Sequence, residues 1–127
     1  MRKILALLLC LGLCGCASLS GVRTMNRENL LKLSIGMTKQ EALNVMGTKS
    51  FGTYTDGRIN NPYRNEILSN KEGKVFEVLY YYTDAKRIDG AITDDELTPL
   101  IFDNGKLIGW GWSFLQDNVQ KYELRMR

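Results

Sequence analysis

The dipeptide Asn104-Gly105 constrains the fold of this chain more than any other feature of its sequence, because it lies between two apolar segments. Residues 97–102 precede it and residues 107–112 follow it. A two-residue β-turn of this kind requires positive φ angles at both central positions, and asparagine and glycine adopt them at the lowest cost. The sequence therefore predicts a tight β-hairpin over residues 97–112.

The predicted turn also fixes the register of the hairpin. Counting outward from the turn, the expected pairs are Phe102 with Leu107, Ile101 with Ile108, Leu100 with Gly109, and Pro99 with Trp110. Glycines then line one face, whereas Trp110 and Trp112 lie on the other. Neither face is polar, so we expect helices on the glycine side, where missing side chains allow close approach. The aromatic side would be covered by the loop and the C-terminal segment, or presented to a partner.

Two further strands are predicted before the hairpin, at Tyr63–Leu68 and Val75–Thr83. The second is dense in aromatic and β-branched residues, which suit the pleated geometry of a strand, and a polar turn at Asn70–Gly73 separates the two. Residues 48–61 indicate a loop or a loose hairpin. Residues 85–96 indicate a polar loop with one helical turn near its end.

The last segment, residues 114–127, is compatible with two structures. Its apolar residues fit one face of a helix as far as Tyr122, whereas Tyr122, Leu124 and Met126 alternate as they would in a strand. The sequence alone leaves both structures open.

A short helix is predicted after Thr38. Thr38 followed by Glu41 forms the pattern of a capping box, in which each side chain satisfies a backbone N–H group near the other residue. Gly47 occupies the position at which a glycine commonly ends a helix. A helix this short is stable only when its apolar side packs on other structure.

The first sixteen residues predict export and lipidation. Arg2 and Lys3 precede an apolar segment of about ten residues, which is shorter than the ~20 residues that a membrane-spanning helix requires. The segment ends in Leu13-Cys14-Gly15-Cys16, which is similar to the lipobox of bacterial lipoproteins. Cleavage before Cys16 would leave diacylglycerol on its sulfur and a further acyl chain on its amine, and two or three such chains anchor a protein stably.

The residues after Cys16 indicate the destination and the tether. Ala17 stands where inner-membrane lipoproteins usually have aspartate, so we expect the periplasmic face of the outer membrane. The alternative is an ordinary signal peptide cut near Gly15 or Ala17. The predicted organisation is a signal peptide at residues 1–15, the lipidated cysteine and a tether at 16–25, and a folded domain at 26–127.

Asn26 is a candidate N-cap for a short helix at the start of the folded domain. Its apolar side would be formed by Leu30, Leu31 and Leu33. Together with the helix after Thr38, this gives two short helices that precede all of the strong strand signals.

The composition excludes several kinds of active site. The chain has no histidine, which removes the commonest general base and metal ligand, and its three cysteines all lie within the first sixteen residues. A formal charge of +3 is too small to indicate a nucleic-acid partner. The acidic residues between 84 and 96 do not follow the spacing of a calcium loop, and a solvated loop is expected there. We therefore expect a protein that is not an enzyme and holds no metal or cofactor.

Four aromatic residues are the candidates for partner binding: Tyr80, Tyr82, Trp110 and Trp112. Tryptophan and tyrosine dominate the energetically important positions of protein interfaces, because each combines a large apolar surface with a polar tip. The same residues are equally suited to a buried core. The sequence leaves open whether the two tryptophans are buried or exposed.

The segment Ile35–Thr48, which begins Ile35-Gly36-Met37-Thr38 and ends Met46-Gly47-Thr48, resembles the helix motif of the SmpA/OmlA (BamE-like) family of outer-membrane lipoproteins. The upstream lipobox, the tyrosine-rich strand and the apolar hairpin agree with that family in order. The likeness extends over about residues 30–112. Lys49 stands where the family has a proline.

The resemblance implies an α+β fold in which two short N-terminal helices pack on a small antiparallel β-sheet of three to four strands, related to the repeat of the β-lactamase inhibitor protein. It implies a non-enzymatic binding or scaffolding module in the assembly or maintenance of the cell envelope, where β-barrel proteins enter the outer membrane. The implied partners are a barrel-assembly subunit and anionic phospholipid. The alternative is an inhibitor-like or stress-sensing periplasmic lipoprotein that binds a soluble partner.

Overall fold

A computed structural model of the protein describes residues 18–52, 58–86 and 91–126. The signal peptide and the predicted lipidation site Cys16 lie outside these ranges. The helices are α1 (Leu19–Leu30), α2 (Lys39–Met46) and α3 (Trp112–Tyr122), and a 3-10 turn spans Asp94–Glu96. The strands are β1 (Ser50–Gly52), β2 (Arg58–Asn60), β3 (Arg64–Ser69), β4 (Val75–Tyr82), β5 (Leu97–Asp103), β6 (Lys106–Trp110) and β7 (Arg125–Met126).

The described strands form two antiparallel sheets. Strands β6, β5, β4, β3 and β7 lie side by side in that order, and β1 pairs with β2 in a separate two-stranded sheet. The predicted α+β class is confirmed. The sheets contain more strands than the three to four expected, because the loose hairpin of residues 48–61 forms β1 and β2 and because the chain adds β7 after α3.

The main sheet is covered on both faces. On one face α2 packs over a buried cluster of Leu33, Ala42, Met46, Leu79, Tyr81, Leu100, Phe102 and Leu107. On the other face α3 packs over a second cluster of Val22, Ile59, Leu68, Phe76, Val78, Tyr80, Tyr82, Leu97, Ile101, Leu115 and Leu124. We call these the α2 face and the α3 face. Alternate residues of β4 supply both clusters, as the two-residue period of a strand requires.

The predicted Thr38 cap and Gly47 end of α2 are confirmed, whereas the bond from the Glu41 side chain that would complete the capping box is not among those described for this helix. The Thr38 hydroxyl accepts a hydrogen bond (3.1 Å) from the N–H of Glu41, and the helix ends at Gly47, whose φ of 87° is favourable only for glycine. The hydroxyl of Tyr81 donates to the carbonyl of Gly47 (3.0 Å). The sheet therefore holds the C-terminal end of α2 directly.

Asn26 lies in the middle of α1, and its prediction as an N-cap is wrong. The helix begins at Leu19, where the Ser18 hydroxyl accepts a hydrogen bond (3.1 Å) from the N–H of Gly21. Residues 19–25 are therefore helical, and the predicted tether does not extend over them. The helix was not recognised because its first turns contain small and polar residues without an apolar period.

The hairpin has the predicted turn but not the full predicted register. Phe102 pairs with Leu107 as expected, but a β-bulge follows, and Ile101 then pairs with Gly109 instead of Ile108. The extra residue moves Gly109 to the α3 face, where the Phe114 ring lies so close that a Cβ on the glycine would be 2.6 Å from it. A helix does pack on this glycine, but it is α3 and not one of the N-terminal pair.

The helix and the strand that were both considered for the last segment occur one after the other along the chain. The helix α3 occupies residues 112–122 and ends at Glu123, which has a left-handed backbone (φ 52°). The two residues of β7 then pair with Leu68 and Ser69 at the end of β3.

The side chain of Asn26 is fully buried and joins α1 to the main sheet. Its amide nitrogen donates to the side-chain oxygen of Asn61 (3.1 Å) and to the carbonyl of Tyr82 (2.8 Å), and the Asn61 amide donates back to the Asn26 oxygen (3.0 Å). The two asparagines are 0% and 4% exposed. This reciprocal pair fixes α1 on the end of β4, because buried amides without partners are costly.

We expect Asn26→Ala to lower the free energy of unfolding by about 2–3 kcal/mol, since the Asn61 amide and the Tyr82 carbonyl both lose a partner in the interior. Asn44→Ala is the matched control, because Asn44 is exposed on α2, and its effect should stay within ~0.5 kcal/mol. Urea denaturation followed by tryptophan fluorescence measures both. Equal effects would show that the buried amide pair does not stabilise the fold.

Candidate functional site

Tyr80 and Tyr82, two of the predicted binding residues, belong to the core. Their exposed fractions are 2% and 3%, so neither ring is available as a surface anchor. Their hydroxyls reach the rim of the α3 face: the Tyr82 hydroxyl accepts a hydrogen bond from Arg23 (2.8 Å), and the Tyr80 hydroxyl donates to Glu66 (2.5 Å). The two tyrosines therefore stabilise the sheet and orient charged side chains around it.

Tyr80 lies at the centre of a polar and aromatic cluster. The Arg64 guanidinium lies 4.2 Å from the centroid of the Tyr80 ring and donates to Asp94 (2.9 Å). The Trp112 ring lies against the other side of this cluster, with its centroid 5.7 Å from that of Tyr80. Burial is the main cause that raises the pKa of Tyr80 above its ordinary value, the Glu66 carboxylate raises it further, and Arg64 acts in the opposite direction.

The two tryptophans are half-buried and lie on opposite faces of the sheet. Trp112 begins α3, and its indole N–H donates to the carbonyl of Leu97 (2.8 Å). Trp110 packs against the buried cluster of the α2 face. The end of β6 at Trp110 causes this separation, because Gly111 has a positive φ (98°) and Trp112 already belongs to α3 and not to the strand. The structure therefore does not bring the four predicted binding residues together, and only Trp110 lies beside an exposed apolar surface.

That surface is formed by the connection between α1 and α2. Leu31 and Ile35 are 88% and 64% exposed, and Leu31 has the largest value among the large apolar side chains that the structure describes as exposed. Leu30, Met37 and Trp110 are half-buried and pack on the cluster beneath. We call these five residues the connection patch.

Backbone hydrogen bonds hold the connection against the edge of β6. The N–H of Gly36 donates to the carbonyl of Leu107 (2.8 Å), and the N–H of Leu107 donates to the carbonyl of Met37 (2.7 Å). The N–H of Lys39 donates to the carbonyl of Gly105 (3.0 Å). Together with the single bridge between Thr38 and Lys106, these bonds hold the end of the connection, residues 36–39, at the edge of the sheet.

One buried leucine lies between the two exposed residues of the patch. Leu33 is 7% exposed and anchors the connection in the core. Leu31 lies in the turn that follows α1 and Ile35 lies in a second turn at residues 35–36, and both side chains are exposed. Leu30, Leu31 and Leu33 were predicted to form one apolar side of a helix, but α1 ends at Leu30 and Leu31 is exposed in the turn that follows.

A shallow groove of about 350 Å³ lies between α1 and α2. Its apolar lining comes from Met25, Leu43, Met46 and Phe51, and its polar lining includes Asn29 and Asn44. The groove borders the last turns of α1, which lead directly into the connection patch. An apolar side chain from another molecule fits the chemistry of this lining.

Within the described ranges, no three carboxylate, cysteine or histidine side chains come together in a way that could hold a metal ion. In the same ranges, no helix has the length and apolar character needed to cross a membrane.

Residues 19–117 match the protein family described as "Protein of unknown function (DUF3192)". The chain belongs to this family. The match begins at Leu19, the first residue of α1, and includes the connection patch and the whole hairpin. The comparison with curated proteins and the comparison with solved structures each find no similar protein.

The DUF3192 match changes the interpretation of residues 19–25, which were predicted to be part of a tether. The helix is part of the matched domain and not a tether that precedes it. The predicted lipidation site, Cys16, lies three residues before the match begins.

The raised pKa of Tyr80 predicts a loss of stability at alkaline pH. Above an ordinary tyrosine pKa of about 10 the unfolded chain releases this proton, whereas the folded protein retains it, so stability falls as the pH rises. We expect Tyr80→Phe to be about 1 kcal/mol less stable than the wild type at pH 7, through loss of the bond to Glu66. The difference in the free energy of unfolding between the variant and the wild type should shrink between about pH 10 and pH 11.

Urea denaturation at the three pH values measures this effect. Tyr63→Phe serves as the control, because Tyr63 is 37% exposed. A Tyr80→Phe variant whose alkaline loss is as steep as that of the wild type would contradict the assignment.

Proposed function

We propose that the protein is a lipid-anchored binding module on the periplasmic face of the outer membrane, and that it holds another envelope protein through the connection patch. The observation that carries this proposal is the exposure of Leu31 and Ile35 on a connection that α1 holds at one end and the sheet edge holds at the other. Large exposed apolar side chains that cluster beside a half-buried tryptophan are typical of protein interfaces. The role itself is binding and scaffolding, without a chemical step.

The rigidity of the patch supports a binding role. The connection forms backbone hydrogen bonds with β6, and Leu33 anchors it from below. A partner that docks there does not have to order a loop, so less of the interaction energy is lost on binding.

The distance between the anchor and the patch suits a partner at the membrane. Two peptide bonds separate Cys16 from Ser18, so the helix cap lies within about 7.6 Å of the predicted acylated residue. The twelve residues of α1 then extend over about 18 Å, and the patch begins where the helix ends. Acyl chains on Cys16 would hold the patch close to the bilayer and raise its effective concentration for envelope proteins.

The likeness to the SmpA/OmlA (BamE-like) family is part of this proposal. It is supported by the Thr38 cap, the Gly47 end of α2 and the antiparallel sheet that follows. On that likeness, the partner is a subunit of the machinery that inserts β-barrel proteins into the outer membrane, and anionic phospholipid is an additional contact. A soluble periplasmic partner remains the alternative.

We expect Cys16→Ser to move the protein from the membrane fraction to the soluble periplasmic fraction, because no acyl chain can then be attached. Fractionation of envelopes measures the distribution, and mass spectrometry of the wild-type protein should show the acyl groups on Cys16. An unacylated wild-type N-terminus, or a variant that still partitions with membranes, would remove the anchor from the proposal.

We expect the double substitution Leu31→Glu/Ile35→Glu to reduce capture of the partner at least tenfold, since two charges would have to be buried in the interface. The free energy of unfolding should change by less than about 0.5 kcal/mol, because both side chains are exposed. Ser34→Glu, on the same segment, is the control for added charge.

Affinity capture from detergent-solubilised envelopes, followed by quantitative mass spectrometry, compares the three proteins. Loss of a membrane-associated assembly subunit from the double variant alone supports the proposal. Equal capture by all three proteins would rule out the connection patch as the docking surface, and retrieval of a soluble protein would favour the alternative function.

A further inference from the structure

The two edges of the main sheet are covered to different extents. The connection between α1 and α2 covers the β6 edge, as described above. The other edge is β3, and β7 pairs there with Leu68 and Ser69. The first part of that strand, residues 64–67, has no partner strand on its outer side within the ranges that the structure describes.

The uncovered part of β3 presents backbone groups that can accept another strand. The N–H of Asn70 points toward β4, where it donates to the carbonyl of Lys74 (3.0 Å), and this direction alternates along an antiparallel strand. Asn65 and Ile67 therefore direct their N–H and C=O groups outward, as does Ser69, which pairs with β7. An edge of this kind is a template for pairing with a second chain.

We propose that the second chain is another copy of this protein, with the two β3 strands antiparallel and a two-fold axis at Asn65. In this register the two Asn65 residues face each other and exchange both backbone hydrogen bonds. Each Arg64 then lies opposite Glu66 of the second copy, which places two pairs of opposite charges across the edge.

The charges also exclude the neighbouring register. Moving the axis to Glu66 preserves the outward hydrogen-bonding positions but places the two Glu66 carboxylates opposite each other, which is unfavourable. An axis at Ile67 is excluded because the second copy would then face Leu68 and Ser69, which already pair with β7. The short sequence Arg64-Asn65-Glu66 is self-complementary about its central residue.

The two charged side chains are already ordered in the single copy. Arg64 is held by Asp94 (2.9 Å) and lies on the Tyr80 ring, and Glu66 accepts the Tyr80 hydroxyl (2.5 Å). Both lie on the α3 face, as their register with Tyr80 and Val78 requires. Ordering before association lowers the entropy that pairing would cost.

The symmetry is compatible with a common membrane. Antiparallel pairing of two edges continues the sheet and places the two-fold axis perpendicular to it, so both copies present the same face to one side. Val22 packs in the cluster of the α3 face, so the start of α1 lies on that side in both copies. This step alone rests on the proposed function, since it assumes acyl anchors on Cys16 that confine both copies to one bilayer.

Cysteine crosslinking in intact envelopes tests the register. The two Asn65 Cα atoms would lie about 5.5 Å apart, within the range that a disulfide can bridge. Two copies of residue 67 would be displaced by four residues, about 13 Å along the strand. Asn65→Cys and Ile67→Cys are therefore matched variants, because both positions are exposed on the same face of β3.

The variants are expressed from the full-length gene, and the envelopes are oxidised and analysed on non-reducing gels, with the wild type as the control for the native cysteines. We expect at least tenfold more covalent dimer from Asn65→Cys than from Ile67→Cys, with both proteins unfolding near the wild-type temperature. Equal yields, monomer only, or a mixed disulfide with a different protein would overturn the proposal.

Charge exchange provides a second measurement. In the Asn65→Cys background, Arg64→Glu and Glu66→Arg should each reduce the dimer yield at least fivefold, because like charges then face each other. Co-expression of the two should restore a mixed dimer, since every facing pair is again of opposite sign. Absence of this restoration would also overturn the proposal. Crosslinking that persists in a Cys16→Ser variant would support the dimer whichever fraction holds the protein; if that variant still partitions with membranes, only the anchor is contradicted.

Discussion

The arrangement of the whole domain depends on the burial of β4 on both of its faces. Seven of its eight residues are buried or half-buried, and alternate side chains supply the two hydrophobic clusters. A strand of this kind requires a layer on each side, which α2 and α3 provide. Such a strand also requires that its buried polar groups find hydrogen-bond partners. The tyrosine rings fill the core, while their hydroxyls bond to Arg23, Glu66 and the carbonyl of Gly47 at its margins.

The sequence predicted those features that depend on local chemistry. Asn104-Gly105 located the hairpin and Thr38 located the start of α2, because each residue satisfies a backbone requirement within a few positions of itself. The β-bulge after Leu107 could not be predicted in the same way. Its advantage is that Phe114 packs on Gly109 while Trp110 reaches the opposite face, and neither contact has a signal in the hairpin sequence.

The candidate binding surface was missed for a related reason. Leu30, Leu31 and Leu33 fit the apolar side of a helix, but α1 ends at Leu30 and Leu31 lies in a turn. The β6 edge that holds the end of this connection is distant in sequence. Asn26 gave a similar error, because an asparagine that is buried by a distant amide partner cannot be distinguished from one that caps a helix. Cys16, which depends on a contiguous motif, stays a prediction outside the described residues.

The two proposed surfaces lie at opposite edges of one sheet, and this placement has a mechanical consequence. A dimer formed through β3 leaves the connection patch free beside β6 in each copy. Eight strands then lie between the two patches, and nine spacings of about 4.8 Å place the patches roughly 43 Å apart. A continuous sheet is stiff over this distance, so the dimer would hold two partners at a fixed separation on one membrane surface. Two weak contacts joined in this way bind far more strongly than either alone when the partners are themselves paired at a matching distance. The modest size of a single patch is therefore compatible with a scaffolding role.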